Sequence, residues 1–281
     1  MVEYTILDDP LGLIHHIRTK LTSETVRASN ETGRHPSGQR RSAVLMAVTL
    51  RRGVGGANGG EPCLILNKRS RKVRQAGDLC FPGGGIHILD KALSKLLQLP
   101  GSPLGTGAFP TKGASPGRPI PKMTRLLLAT SLREAWEEMR LNPLRVRFLG
   151  ALPMQRLVIF DRLIQPLVAW VRPGQRFRPN WEVSRIVYIP LRNLLDRRNY
   201  RRYQLTFNSH VFTNGQGTKE FPCFFHQGRV ARELLWGASY RIAMDFLRLA
   251  FDFTPPEIKD LPTVKATLDP SYLNGSRLAK P

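Results

Sequence analysis

One segment, residues 125–141, most narrows what this chain can fold into. The segment reads RLLLATSLREAWEEMRL and is followed by Pro143, a residue that a helix does not tolerate in its interior. At about 100° per residue, four apolar side chains share one face of a helix: Leu128, Leu132, Ala135 and Met139. Three carboxylates share another stripe: Glu134, Glu137 and Glu138. The pattern predicts an amphipathic helix that buries one face and presents a row of carboxylates on another.

The carboxylate stripe indicates a bound cation. Like charges at this spacing repel one another, and Mg²⁺ or Mn²⁺ would relieve the repulsion because both ions prefer oxygen ligands. Mg²⁺ is normally completed by water and substrate phosphates, so the stripe suits phosphoryl chemistry. Arg133 lies one turn before Glu137 and can pair with it. A solvated charged face held by that pair is the alternative that the pattern leaves open.

Apolar runs on both sides of this helix predict the strands of a mixed sheet. Residues 42–50 and 62–69 are predicted to form a hairpin around a glycine-rich turn. Further strands are predicted at 146–152, 162–171, 183–190, 205–212 and 220–227. Helices are predicted over 8–31 and, as one long element, over 230–251. This order of elements predicts an α/β layered domain.

Three segments differ in composition from that domain, which is predicted over 42–251. Residues 1–41 are predicted as an N-terminal helical extension and linker, and the proline-rich residues 252–281 as a loosely held tail. Residues 91–125 contain six prolines, five glycines, six Lys or Arg and no acidic residue, which predicts an irregular insertion after a short helix over 91–99. We hypothesise that this insertion is a mobile basic flap near the substrate.

The composition constrains partners and location. The net charge of +22 favours an anionic partner such as a phosphate-rich metabolite, nucleic acid or an acidic membrane face, although high arginine usage can also be a genomic habit. The three cysteines are widely spaced, which argues against a disulfide framework or a thiolate zinc site. The acidic start lacks a signal peptide's apolar stretch, and no apolar run is long enough to span a bilayer. We therefore predict a soluble cytoplasmic protein and leave its oligomeric state open.

The predicted carboxylate helix resembles the core of the Nudix box, whose pattern is Gly-x5-Glu-x7-Arg-Glu-U-x-Glu-Glu-x-Gly-U, where U is aliphatic. The matching positions are Arg133, Glu134, Ala135, Glu137, Glu138 and Leu141. Upstream, Gly84 stands six residues before the acidic Asp90. Arg140 replaces the last glycine of the pattern, and the insertion lengthens the spacer after Asp90. The resemblance implies a Nudix-type α/β/α sandwich that uses divalent metal to hydrolyse a nucleoside diphosphate linked to a further moiety.

A second stretch, LILNKRSRKVRQAGDLCFPGG, resembles the extra signature of the coenzyme A diphosphatase branch of that family. The matching positions are Arg69, Ser70, Arg74, Gly77, Phe81, Pro82, Gly83 and Gly84. The interval after Arg74 is one residue short, and Asn67 stands where the signature has threonine. Arginine forks suit phosphates, whereas a basic edge that protects a strand is the alternative. The implied substrate-binding residues are Arg69, Ser70, Arg74, Gly83 and Gly84.

The resemblance also implies catalytic roles. Glu134 and Glu138 are the implied Mg²⁺ or Mn²⁺ ligands, and Glu137 is a third ligand or the base that activates water. Arg133 is implied to orient a carboxylate. Glu182, in the PNWEV segment, is a candidate base outside the box. The implied products are adenosine 3′,5′-bisphosphate and 4′-phosphopantetheine or its acyl form.

Two other functions remain open. The substrate can be another nucleoside diphosphate derivative, such as ADP-ribose, NADH, a dinucleotide or an RNA cap. The positive charge fits an RNA partner, but no motif of an RNA-binding module is present. Alternatively, the interrupted box can belong to an inactive binding module, although every carboxylate of its core is retained.

Overall fold

A computed structural model describes residues 4–32, 40–51, 60–99, 102–103, 120–157, 162–207, 217–228, 230–268 and 272. The α-helices are α1 (Pro10–Thr32), α2 (Ile88–Leu96), α3 (Lys122–Met139), α4 (Leu191–Leu194) and α5 (Gly237–Phe251). The strands are β1 (Arg40–Arg51), β2 (Glu61–Arg69), β3 (Leu79–Cys80), β4 (Gly83–Gly85), β5 (Val146–Ala151), β6 (Gln155–Leu157), β7 (Arg162–Val171), β8 (Val183–Pro190), β9 (Tyr200–Phe207), β10 (Gly217–Gln227), β11 (Arg232–Trp236) and β12 (Thr263–Leu268). Single 3-10 turns lie at Thr5–Asp8, Pro143–Arg145, Arg197–Asn199 and Ile258–Asp260. Within the described ranges, no helix combines the length and apolar character that crossing a membrane requires.

The main sheet is mixed and has β1 at its centre. β1 pairs antiparallel with β2 and parallel with β7. β7 pairs with β5 at one edge, and β2 pairs with β8 at the other, both antiparallel. The short strands β3, β4 and β6 extend the pairing of β2, β1 and β7, respectively. The predicted hairpin of β1 and β2 is confirmed, while residues 52–59 of its glycine-rich turn lie outside the described ranges.

Helices cover both faces of the main sheet. On one face, α1 and α5 bury apolar side chains that include Leu13, Ile17, Leu21, Ile242, Phe246 and Ala250. On the other face, α3 buries the predicted apolar stripe of Leu128, Leu132, Ala135 and Met139. Successive residues of β1 alternate between these two cores, since Leu45 packs with α3 and Met46 packs with α1 and α5. The predicted α/β/α sandwich is therefore confirmed.

A second sheet has the strand order β11-β10-β9-β12, and it corrects the prediction of one long helix over 230–251. Residues 232–236 form β11, which pairs antiparallel with β10, and α5 begins only at Gly237. Gly237 has a φ of 64°, a left-handed value that separates the strand from the helix. Glu233 is buried between Lys68 and Arg185, a tertiary interaction that helical spacing within 230–251 does not reveal.

Segments at both ends of the chain pack onto this core. In α1, Thr25 Oγ1 accepts a hydrogen bond from Ala151 N of the edge strand β5 at 2.9 Å. β12 pairs parallel with β9, so the prediction of a loosely held tail is wrong for Thr263–Leu268. The alternate residues Val264 and Ala266 pack against the apolar face of the second sheet, which explains the pairing. These contacts cross both ends of the domain predicted over 42–251.

The insertion starts as a helix that belongs to the fold. α2 begins at Ile88, three residues before the predicted start, because His87 and Asp90 form a capping box. Ser102 Oγ donates to Leu97 O at 2.6 Å, and Phe148 N donates to Pro103 O at 3.0 Å. Residues 104–119, on which the basic-flap hypothesis depends, lie outside the described ranges.

Candidate active site

The helix α3 carries the row of carboxylates and ends at Met139, two residues before its predicted end. Arg140 ends it by adopting a left-handed conformation, with φ 58° and ψ 36°. Glycine takes this conformation freely, whereas a residue with a Cβ loses roughly 1 kcal/mol. The Arg140 guanidinium lies 5.4 Å from the centroid of the Trp136 ring. Arg140 thus occupies the backbone conformation that suits the glycine of the box pattern.

The two halves of the interrupted box meet at Asp90. Its side chain is fully buried, and Oδ1 accepts a hydrogen bond from Arg133 Nε at 2.8 Å. Oδ2 accepts from Thr130 Oγ1 at 2.8 Å and from His87 N at 2.7 Å. Burial alone would raise the pKa of Asp90, but these bonds lower it below its ordinary value. Sequence reasoning assigned Asp90 no role, although its place at the acidic position of the pattern was a usable signal.

Arg133 connects the box halves to the carboxylate row. Its NH2 donates to Glu134 Oε1 at 2.9 Å and to Gly85 O at 3.1 Å. Its NH1 donates to Glu137 Oε2 at 3.1 Å, so the predicted pair with Glu137 also forms. Burial alone would lower the pKa of Arg133, but the surrounding carboxylates raise it. Arg133 therefore stays charged and fixes the direction of the carboxyl groups beside it.

Glu138 lies deeper in the site. Asn67 Nδ2 donates to Oε2 at 2.6 Å, and Gly83 N lies 3.4 Å from Oε1 as a second donor. Burial raises the pKa of Glu138 to about 7, and the nearby carboxylates of Glu134 and Glu182 add to the rise. Sequence reasoning missed Asn67 as the partner of Glu138, because these residues are far apart in the sequence.

The segment that contains Glu182 packs against the C-terminal end of α3. Asn180 N donates to Glu138 O at 2.8 Å, and Arg178 N donates to Met139 O at 2.9 Å. Burial raises the pKa of Glu134, and the charge of Glu182 contributes to the rise as it does at Glu138. Glu182 is thus brought to the inner carboxylates of the helix.

Glu137 lies further out than Glu134. The side chain of Glu137 is 51% exposed, whereas that of Glu134 is 19% exposed. The carboxylate of Glu137 is therefore more open to water than that of Glu134, although both are paired with Arg133.

The glycine turn of β4 lies directly against the carboxylate row. A Cβ atom on Gly84 would lie 2.3 Å from Glu134 Oε1, and one on Gly83 would lie 2.2 Å from Ala43 O. Neither position has room for a side chain, whereas a Cβ on Gly85 would meet no atom within 4 Å. Glycine at 84 thus allows the backbone to approach the carboxylate of Glu134 closely, and glycine at 83 allows it to approach β1.

The carboxylates fit a hard divalent cation. Burial and the charges of Glu137 and Glu182 raise the pKa of Glu134, and burial and the charges of Glu134 and Glu182 raise that of Glu138. A cation among these carboxylates would relieve the repulsion. Among the described residues, no three His, Cys, Asp or Glu side chains form a ready-made metal cage. A Mg²⁺ or Mn²⁺ ion held by these carboxylates would be completed by water and substrate oxygens.

Residues 70–78, which we call the signature loop, join β2 to β3 beside this site. Ser70 N donates to Glu182 O at 2.7 Å, so the loop is tied to the Glu182 segment. Arg69 Nε donates to Arg74 O at 2.7 Å and braces the loop, while the Arg74 side chain is exposed. The five predicted substrate-binding residues thus lie in two segments, the signature loop with its base and the glycine turn.

Comparison with known proteins finds relatives that align with most of the chain. No protein-family model matches the sequence. The uncharacterized Nudix hydrolase NudL of Salmonella paratyphi B is 26% identical over 222 residues, which cover 74% of this chain and 88% of that protein. NudL of Salmonella typhimurium matches with the same values.

Solved structures of Nudix proteins also align with this chain. A Nudix hydrolase from Alicyclobacillus acidocaldarius is 17% identical, with a TM-score of 0.36, and the alignment covers 57% of this chain and 83% of that one. RenU, a Nudix hydrolase from M. smegmatis, is 12% identical, with a TM-score of 0.34 and coverage of 57% and 75%.

The similarity to Nudix hydrolases is seen both in the sequence and in the arrangement of the box residues. The match to NudL extends over 74% of the chain. In the present structure, the bond between Arg133 and Asp90 joins the two halves of the box that the insertion separates in sequence. The carboxylate of Glu134 on α3 lies against the glycine turn. Over most of its length the chain is therefore similar to Nudix hydrolases, and it carries the arginine and the carboxylates of the box pattern.

Proposed function

We propose that the chain is a Mg²⁺- or Mn²⁺-dependent hydrolase that cleaves the diphosphate of coenzyme A or acyl-coenzyme A. Its products would be adenosine 3′,5′-bisphosphate and 4′-phosphopantetheine or the acyl form. The observation that carries the proposal is the bond from Ser70 N to Glu182 O, which ties the basic signature loop to the carboxylates of the site. A substrate that carries a diphosphate and a further phosphate matches these two neighbouring features.

Glu134 and Glu138 would hold the cation, with Glu137 as a further ligand nearer to solvent. When bound, the ion neutralises the diphosphate and lowers the pKa of the attacking water. Arg133 keeps Glu134 in place, and Asn67 does the same for Glu138. These contacts support a site whose carboxylates are oriented before the substrate arrives.

A carboxylate would accept the proton of the attacking water. Glu182 and Glu137 are the two candidates, and they differ in their surroundings. Glu182 lies near the inner carboxylates, whereas Glu137 is half exposed and paired with Arg133. We expect that replacing the base with glutamine lowers kcat by about 10² to 10⁴. Glu182→Gln and Glu137→Gln, compared at saturating metal, therefore identify the base.

Arg69 and Arg74 would determine the substrate class, with Ser70 at the base of the loop. Guanidinium groups bind phosphates through paired hydrogen bonds, and coenzyme A has a 3′-phosphate outside its diphosphate. The Arg69 side chain also bonds the loop backbone, so Arg74 is the better candidate for direct contact with this phosphate.

Product analysis tests the proposal. The protein is incubated with Mg²⁺ or Mn²⁺ and with coenzyme A, acetyl-coenzyme A, ADP-ribose, NADH or a capped RNA. We expect metal-dependent release of adenosine 3′,5′-bisphosphate from the coenzyme A compounds alone. Glu138→Gln should abolish this release, whereas Glu220→Gln, on the exposed face of the second sheet, should leave it intact. Cleavage of a different substrate would overturn the coenzyme A assignment.

The net charge of +22 favours one alternative, an RNA cap as the substrate. Cleavage of capped RNA that weakens steeply with salt would support that alternative. Absence of both cleavage and metal binding would instead indicate a binding module.

We also propose that the protein works in the cytoplasm. Cys63, Cys80 and Cys223 are all unpaired, which suits a reducing compartment. Fractionation of the cells that make the protein tests this location.

A further inference from the structure

The signature loop has a defined shape that depends on contacts from outside it. Arg69 N donates to Asp78 O at 2.9 Å, and Gly77 N donates to Arg69 O at 3.0 Å, which closes the loop at its base. Gln75 and Gly77 both have left-handed backbone, with φ values of 56° and 82°. A left-handed conformation is unfavourable for glutamine, so neighbouring groups must hold Gln75 in place.

Tyr272, near the C-terminal end of the chain, supplies those contacts. Its backbone carbonyl accepts a hydrogen bond from Gln75 N at 2.7 Å, and its hydroxyl donates to Asp78 Oδ2. A single residue thus holds the signature loop at two points. These points lie on either side of Gly77, where the chain turns back towards β3.

Trp236, the last residue of β11, completes the contact. Its Nε1 donates to Asp78 Oδ1 at 3.1 Å, and its ring stacks on Tyr272 with centroids 6.4 Å apart and planes inclined by 30°. The Trp236 ring also packs against Tyr203 and Phe221 of the second sheet. Both acceptor oxygens of Asp78 are therefore engaged by groups that the second sheet supports.

We infer that Tyr272 is a positioning residue for substrate recognition. By holding Gln75 and Asp78, it fixes the part of the signature loop that presents Arg74 to a phosphate outside the diphosphate. The bonds of Tyr272 go to this loop and its ring stacks on Trp236, rather than reaching the carboxylates of α3. It should therefore affect binding of the substrate more than the chemical step. The substrate side of this inference rests on the proposed function, whereas the loop contacts do not.

Steady-state kinetics of Tyr272→Phe and Tyr272→Ala test the inference. For coenzyme A, we expect Tyr272→Ala to raise KM about tenfold and to change kcat by less than about twofold. Tyr272→Phe loses the hydroxyl but keeps the ring that stacks on Trp236, so its KM should rise only about two- to threefold. With dephospho-coenzyme A, which lacks the 3′-phosphate, KM should be the same in all three proteins. Thr267→Ala, an exposed change on β12, is the matched control.

A double-mutant cycle separates positioning from general destabilisation. If Tyr272 acts through Arg74, then Tyr272→Ala should change KM by less than about twofold when Arg74 is already alanine. Equal effects of Tyr272→Ala in both backgrounds would overturn the inference, as would a loss in kcat with KM unchanged.

Hydrogen exchange distinguishes failure of this inference from failure of the proposed function. We expect the amides of Gln75 and Asp78 to exchange faster in Tyr272→Ala than in the wild type, at equal global stability. If product analysis identifies a substrate other than coenzyme A, the kinetic comparison is made with that substrate. Unchanged exchange together with unchanged KM would overturn the role of Tyr272 whichever substrate is found.

Discussion

Among single residues, Glu138 has a carboxyl whose pKa burial raises to about 7, against an ordinary value of 4.5. Between these pH values the folded protein binds a proton that the unfolded chain releases. The contribution of Glu138 to stability therefore falls as pH rises through this window. Without metal at pH 8, Glu138→Gln should raise the free energy of unfolding by about 1–2 kcal/mol.

Urea unfolding of both proteins in a chelator, at pH 5 and pH 8, measures this effect. The advantage of the variant should disappear at pH 5, where the wild-type carboxyl is protonated. Adding Mn²⁺ at pH 8 should reverse the order, because only the wild type keeps the proposed ligand. A stability difference that is the same at both pH values would contradict the assignment.

Arg140 tests the cost of a left-handed helix end. Its φ of 58° is unfavourable for any residue with a Cβ, and its guanidinium packs on Trp136. Arg140→Gly and Arg140→Ala both lose that packing, but only glycine removes the backbone cost. We expect Arg140→Gly to be more stable than Arg140→Ala by about 1 kcal/mol in thermal unfolding. Equal stability of the two variants would show that the backbone cost is absent.

At the scale of elements, the glycine turn β4 offers a matched pair of substitutions. In Gly84→Ala the new Cβ would lie 2.3 Å from Glu134 Oε1 and would displace that carboxylate. We expect a loss of about 10² in kcat, since small displacements of catalytic groups have effects of this size. Gly85→Ala places its Cβ in open space and should change kcat by less than about threefold. Circular dichroism checks that both variants fold. Similar losses of kcat in Gly84→Ala and Gly85→Ala would contradict the close approach at Gly84.

The elements also show what the sequence could reveal. The apolar stripe of α3 follows the helical period, so its burial was predictable from Leu128 to Met139. The strand β11 was not predictable, because Leu234 and Leu235 suit either a helix or a strand. Pairing with β10 decides in favour of the strand. The bonds of Asn67 to Glu138 and of Tyr272 to Asp78 join residues distant in sequence, so no local pattern indicates them.

At the scale of the whole molecule, Glu233 links the two sheets. It lies on β11 of the second sheet, and its side chain is 2% exposed. Lys68 Nζ of β2 lies 2.5 Å from Oε2, and Arg185 of β8 pairs with Oε1. Two strands of the main sheet are thus joined to the second sheet through one buried carboxylate.

Glu233→Gln should therefore destabilise the whole domain. The change leaves two cations without their shared anion, and breaking a buried ion pair in this way is costly. Because Lys68 and Arg185 are partly exposed, water can solvate them, and we expect a loss of about 2 kcal/mol in denaturant unfolding. Glu220→Gln removes a looser and more exposed pair with Arg202, at 3.7 Å, and should cost less than about 0.5 kcal/mol. If both variants lost the same stability, the buried carboxylate of Glu233 would not contribute to holding the two sheets together.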